Sequence, residues 1–152
     1  MRFLSNREMY WIDRGRTPFI EKANMDGSLR RRIVSSGLVS PNSLNIDSSA
    51  KKLYWTDSGT MNIEESDLDG GHRKVIYHAV NSHPFGALLY QGYIYWTDWN
   101  QMVLLRLNIL SGENQIVAAG LSKPTYIVVH YPGMRSSPTG LYIGNMLLHC
   151  FF

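Results

Sequence analysis

"HPFGALLYQGYIYWTDWN", residues 83–100, sets two apolar, aromatic-rich runs on either side of Gly92, and its tetrapeptide Tyr95-Trp96-Thr97-Asp98 recurs elsewhere in the chain. Tyr54-Trp55-Thr56-Asp57 is identical to it, and Tyr10-Trp11-Ile12-Asp13 differs at one position. The three motif aspartates are 44 and then 41 residues apart. Two other markers keep step. Gly27, Gly70 and Gly112 each follow their aspartate by 13 or 14 residues, and Pro41, Pro84 and Pro124 follow it by 28, 27 and 26. Three markers in one order, three times, make a repeat array. A period near 40 with aromatic and β-branched runs is that of a four-stranded propeller blade.

The middle copy gives the strands of one unit: Leu44–Asp47, Leu53–Asp57, Asn62–Leu68 and Arg73–Tyr77. Between the last two, "DLDGG" marks a hairpin, because Asp-Gly supplies the positive φ of a tight turn. No amphipathic helical stretch competes, so the expected class is all-β, a partial propeller of about three of six four-stranded blades. In each copy Tyr10, Trp11, Tyr54, Trp55, Tyr95 and Trp96 are expected to fill the wedge between sheets. Asp13, Asp57 and Asp98, at strand ends, are expected to accept backbone N–H groups of the following turn. A residue replicated in every repeat is structural before it is catalytic.

Composition bounds the rest. The chain has 152 residues, 44% hydrophobic and 18% charged, with a net charge of +3 and one cysteine, Cys150, which leaves no internal disulfide. The single basic run, Arg30-Arg31-Arg32, precedes the apolar pair Ile33-Val34 and reads as a solvated strand margin, too narrow for a nucleic-acid partner. The acidic run Glu64–Asp69 reads as a solvated strand face rather than a calcium site. The start has no signal-peptide pattern, and the apolar tail "GLYIGNMLLHCFF" is far shorter than the roughly 20 residues of a spanning helix.

The tetrapeptides, the Asp-Gly turns, the Pro-x-x-Leu step and "HPFGALLYQGYIYWTDW" together resemble the low-density-lipoprotein-receptor class B repeats over about residues 8–131. "MYWIDRGRTPFIEKANMDGS", residues 9–28, is most similar to the Wnt co-receptor branch of the lipoprotein-receptor-related proteins. The resemblance implies an extracellular part of a cell-surface receptor, without catalysis or cofactor. Its implied partners are secreted proteins: Wnt-type ligands or antagonists, or else lipoproteins and receptor chaperones. Family propellers have six blades, so residues 1–131 are expected to form part of one, and 132–152 a linker and unassigned tail from an incomplete or aberrant gene product. A half ring leaves apolar blade faces open, so the chain is expected to be poorly soluble or to need partner blades from another chain. Departures from the pattern are Ile12 for Thr, Arg14 for Trp, and the lack of a glycine after Pro41-Asn42.

Two rival classes differ in their signals. An intracellular WD-type scaffold shares the period but puts Asp directly after Trp, where here one residue intervenes. A calcium-dependent propeller hydrolase is the enzyme alternative, yet no nucleophile, metal-spacing or phosphate-loop motif is present. No catalytic residue and no metal ligand is expected.

Strand direction places the candidate site. In an antiparallel meander the second-to-third loop and the connection into the next blade emerge on one face, which collects Arg14–Thr17, Ser58–Asn62, Trp99–Gln101 and the segments around Ser40, His83 and Lys123. The expected ligand-binding residues are His83, Phe85, Trp99, Asn62, Ser58 and Lys123. Exposed aromatics beside an imidazole are the amphipathic chemistry of interface hot spots. The resemblance independently implies a ligand face lined by the His, Phe and Trp.

Overall fold

A computed structural model describes residues 7–129 and the backbone of two short strands beyond them. The chain order is β1 (Glu8–Asp13), β2 (Phe19–Asn24), β3 (Arg31–Val34), β4 (Pro41–Asp47), β5 (Lys52–Asp57), β6 (Asn62–Asp67) and β7 (Lys74–His78). There follow β8 (Pro84–Tyr90), β9 (Tyr93–Asp98), β10 (Val103–Asn108), β11 (Asn114–Ala119), β12 (Pro124–Val129), β13 (Leu141–Ile143) and β14 (Met146–Cys150). Among the described residues there is no helix. Strands β1-β2-β3 form blade 1, β4 to β7 blade 2 and β8 to β11 blade 3, and a fourth sheet runs β12-β14-β13. The molecule is an all-β partial propeller. In the middle unit the four expected strands are present with shifted ends. The first starts earlier, at Pro41, because a proline without an N–H is tolerated as the first residue of a strand.

Strands β4, β8 and β12 lie side by side at the inner edge of their sheets. Side chains bridge them: Asn42 Nδ2 donates to the Pro84 carbonyl at 3.1 Å, and Asn45 Nδ2 to the Ala87 carbonyl at 3.2 Å. Gly86 shows how close the strands come, since a Cβ there would lie 1.8 Å from the Thr125 carbonyl oxygen.

Each letter of the repeated tetrapeptide has a separate task. Because side chains alternate across a strand, Trp and Tyr leave on opposite faces of the blade. Trp55 packs toward blade 1 with Ile20, Val34, Leu38 and Leu53, and Tyr54 toward blade 3 with Ile94 and Trp96. Trp96 joins the blade 2 face, while Tyr95 packs with Leu104 and Ile127 against the fourth sheet. The threonine hydroxyls tie each blade to the next: Thr56 Oγ1 donates to the Phe85 carbonyl at 2.9 Å and Thr97 Oγ1 to the Thr125 carbonyl at 3.0 Å. Ile12, lacking a hydroxyl, packs into the apolar seam between blades 1 and 2 instead.

Two of the motif aspartates clamp several backbone amides. Asp57, fully buried, accepts from the amides of Val39, Ser40, Gly59 and Thr60 at 2.9–3.1 Å. Asp98 does the same with His83, Asn100 and Gln101 at 2.9–3.2 Å, and accepts the Ser82 hydroxyl. One carboxylate thus fixes both the connection entering the blade and the turn leaving its second strand.

The acidic run corrects the expectation of a solvated face. Glu64 and Glu65 are only 3% and 6% exposed. Glu64 sits opposite Trp55 and points to blade 1, where Arg73 Nε covers it at 2.6 Å. Glu65, on the other face, is held by Lys74 at 3.2 Å. Alternation did put the two on different faces, but both faces of a blade interior are covered by neighbours. Of the expected linker and tail, 132–140, 144–145 and 151–152 lie outside the described residues. The described part places β14 antiparallel on β12, with Pro124 opposite Cys150 and Val129 opposite Met146.

Candidate functional site

The residues around the opening stretch converge on one end of blade 3. His83 ends the connection into β8, Phe85 is the second residue of β8, and Trp99 follows the last residue of β9. The register, with Pro84 opposite Asp98, brings these three together. Their rings stack: Trp99 lies 5.2 Å from His83 at 6° and 4.2 Å from Phe85 at 16°. Main-chain bonds fix the base of the stack, with the Trp99 amide donating to the His83 carbonyl at 3.2 Å. The Trp99 indole Nε1 donates to the Pro124 carbonyl at 2.7 Å, which ties the ring to the next inner strand. All three rings are half-buried, so each keeps part of its surface in water.

Tyr126 extends this surface, and sequence reasoning missed it. Its ring is 6.4 Å from Phe85 and the residue is 58% exposed. The available signal was positional. Tyr126 stands two residues after Pro124, where the corresponding positions after Pro41 and Pro84 are Ser43 and Gly86, so a large exposed aromatic there departs from the repeat. The result is a four-ring ladder over the inner strands of blade 3 and the fourth sheet.

The other expected residues do not all join it. The Ser58 amide donates to the Ser40 carbonyl at 3.0 Å, and its hydroxyl accepts from Asn42 Nδ2 at 2.8 Å, which places it on the same end of the neighbouring blade. Lys123 is exposed and directly precedes Pro124. Asn62 instead opens β6 and meets His78 Nδ1 at 2.8 Å, on the side of the outer strand. Arg14, on the loop after β1, reaches Ser40 Oγ at 3.1 Å, so the loops after the second strands do gather with the connections into the next blade.

This end presents a surface suited to contact. It offers flat π faces, one imidazole and main-chain dipoles already engaged with the motif aspartates. Among the described residues no group of three His, Cys, Asp or Glu side chains is placed to hold a metal ion. No helix among them is long and apolar enough to cross a membrane.

Comparison with known proteins fits this architecture. Residues 7–48 match the family model described as low-density lipoprotein receptor repeat class B. The chain is 35% identical over 129 residues to the vitellogenin receptor of Solenopsis invicta, and 29% identical over 133 residues to the vitellogenin receptor Yl of Drosophila melanogaster. These alignments take in 84% and 87% of this chain but only 7% of each receptor, so the chain spans a small part of the curated relatives it matches. Among solved structures, a chain of the nidogen/laminin complex superposes with a TM-score of 0.74 at 27% identity, over 81% of this chain and 48% of that one. Virginiamycin B lyase from Staphylococcus aureus superposes with a TM-score of 0.67 at 19% identity, over 83% and 43% respectively, a likeness of fold alone. The chain carries a low-density lipoprotein receptor class B repeat and is a partial β-propeller of that type, similar to a short stretch of the vitellogenin receptors.

Proposed function

We propose that this chain is a non-catalytic, ligand-binding propeller segment of an extracellular receptor, and that the ligand seats on the His83–Phe85–Trp99–Tyr126 ladder. The observation that carries the reading is the ladder itself. His83, Phe85 and Trp99 stacked on one another, with Tyr126 tilted against Phe85, leave a contiguous aromatic surface partly in water, the chemistry that interface hot spots use. In this reading residues 1–131 make up the propeller part and 132–152 a linker and tail, with no cofactor. The similarity to vitellogenin receptors favours a secreted lipoprotein as ligand. The segment "HPFGALLYQGYIYWTDW" favours a second reading, a Wnt-type ligand or antagonist on the same surface.

Both readings are tested on one immobilised chain with vitellogenin and a purified Wnt-type ligand as analytes. Tyr126→Ala is the cleaner variant because the ring is largely exposed, while Trp99→Ala also loses the bond to Pro124. Either substitution at the hot spot is expected to cost about 2 kcal/mol, roughly thirtyfold in Kd, against the true ligand class. Unchanged affinity for every ligand that binds, with the melting temperature of Tyr126→Ala also unchanged, would remove the ladder from the binding surface.

A further inference from the structure

We propose that the ligand of the ladder is an acidic peptide segment, an apolar anchor with carboxylates on both sides, a proposal that rests on the ladder being the binding surface. The distribution of carboxylates is the first observation. The chain has 12 acidic side chains. Three of them, Asp13, Asp57 and Asp98, lie at the ladder's end of the blades, and all three accept main-chain amides. Glu21, Glu64 and Glu65 are buried within the sheets, each against a cation. The remaining six, Glu8, Asp26, Asp47, Asp67, Asp69 and Glu113, stand at the opposite end, on its turns or on the strand residues that border them. All 12 lie among the described residues, so outside the three motif positions the ladder's end has no acidic side chain.

The cations divide differently. Arg14 and Arg16, on the loop after β1, and Lys123, directly before β12, are all exposed at the ladder's end. Arg14 donates to the Ser40 hydroxyl at 3.1 Å, and none of the three pairs with a carboxylate among the described residues. At the opposite end cations and carboxylates interleave, as in Lys22 with Glu8 at 2.8 Å and Lys52 with Asp67 at 2.7 Å. Free charge at the ladder's end is therefore of one sign. Its position brackets the rings. Lys123 adjoins them, because the carbonyl of the next residue, Pro124, takes the Trp99 indole. From the other side a polar track leads in from Arg14 through Ser40 and Ser58 to Asn42, which donates to the Pro84 carbonyl at the foot of the ladder.

The apolar part of the ligand has its own seats. Val39, Val80 and Met102, on the loops of the same end, are exposed beside the rings. Ring faces by themselves attract cations, which would favour a basic ligand. In blades 1 and 2 that attraction is met within the chain, by Arg30 over Trp11 and Arg73 over Trp55. In the ladder, His83, Phe85 and Trp99 turn their faces to one another. The charges left to be answered there are an ammonium and two guanidinium groups. A ligand carboxylate meets its complement at them, whereas a ligand cation meets like charge on both sides of the rings, the arrangement by which interfaces reject wrong partners.

The test titrates the full chain, by fluorescence anisotropy, against three labelled peptides that share a central Leu-Trp and differ in its flanks. One carries Asp and Glu, one the corresponding amides Asn and Gln, and one Lys. At low salt the acidic peptide is expected to bind about tenfold more tightly than the amide peptide, with the Lys peptide weakest and the gap narrowing in about 0.5 M salt. Arg16→Glu with Lys123→Glu should weaken the acidic peptide about tenfold and leave the amide peptide unchanged. Both side chains are exposed, and Lys→Glu keeps a Cβ at the +45° φ of this position, so the fold should be unaffected. Tyr126→Ala should weaken the acidic and amide peptides alike, which separates the ladder from the charge around it. Equal binding of the three peptides, with Tyr126→Ala still weakening them, would overturn the acidic assignment and leave the ladder in place. An acidic preference that Tyr126→Ala leaves untouched would remove the ladder and the proposal together. An acidic preference that the double variant leaves unchanged, or binding of none of the three peptides, would also overturn the proposal.

Discussion

Blade 1 and blade 2 carry nearly the same residues and lead different lives. Trp55 is 1% exposed beneath a neighbouring blade, whereas Trp11, at the same place in the repeat, is half-buried under the Arg30 guanidinium. Asp57 is fully buried with four amide donors, whereas Asp13 is half-buried with one. The Trp–Arg–Glu set is complete in both blades, but only in blade 2 does the arginine, among the described residues, also bind carbonyls of the loop leaving the preceding blade. The repeat fixes which side chains are presented. The neighbour decides whether they stabilise anything.

The largest test of that difference is the pair of tryptophans. Trp55→Ala removes a ring from a packed seam and is expected to cost about 3–5 kcal/mol in urea unfolding. Trp11→Ala should cost less, about 2 kcal/mol, since only part of its ring area is covered in this blade. Equal penalties would show that the Trp11 ring is as well covered as that of Trp55.

The arginines come next. Arg73→Ala leaves Glu64, 4% exposed at its side chain, buried without its cation and frees two carbonyls of blade 1. Breaking a buried pair costs about 3–5 kcal/mol, and Arg73 is itself 24% exposed, so a loss near the lower bound, about 3 kcal/mol, is expected. Arg30→Ala should cost less than Arg73→Ala, because Arg30 is 61% exposed and Arg32 still faces the buried Glu21 carboxylate at 3.6 Å. A double variant, Arg73→Ala with Glu64→Gln, sharpens the comparison: recovery of part of the loss assigns it to the stranded carboxylate, and no recovery assigns it to the carbonyl contacts.

Much of this was legible in the sequence because repetition amplifies weak signals. A single Tyr-Trp-x-Asp says little, but three copies with Gly and Pro in step fix the blade, the strand order and the clamp role of the aspartates. What was not legible depends on contacts between units. Glu64 and Glu65 look like a solvated run because alternation cannot tell an outer face from one covered by the next blade. Tyr126 was overlooked because it sits past the last tetrapeptide, where no motif directs attention, although its ring meets Phe85. Asn62 was grouped with the aromatic face by loop proximity, and its bond to His78 takes it toward the outer strand. The Arg30–Trp11 pairing was hidden for a further reason. Arg30-Arg31-Arg32 reads as one basic run, and only the register separates Arg30, which faces the ring, from its neighbours.

The smallest expected effect is the response to acid, where the two blades again differ in their partners. In blade 1, the hydrogen bond from Lys22, at 2.8 Å, holds the Glu8 carboxyl below its usual range. In blade 2, Lys52 at 2.7 Å, followed by His72, lowers Asp67, and the Ser49 hydroxyl lowers Asp47. A carboxyl whose folded pKa is depressed adds stability that is complete above its unfolded pKa and is lost as pH falls through the folded value. The unfolded references are 4.5 for Glu and 3.8 for Asp, so the melting temperature should be level from neutral pH down to about 5 and fall below it. All three groups are near the surface, so 1 M salt should flatten the fall. Asp67→Asn should remove part of the blade 2 share, and Glu8→Gln part of the blade 1 share, with the two adding when combined, because they lie in separate blades. A melting temperature that rises on acidification, or a fall that neither substitution reduces, would place the acid-sensitive groups elsewhere in the chain.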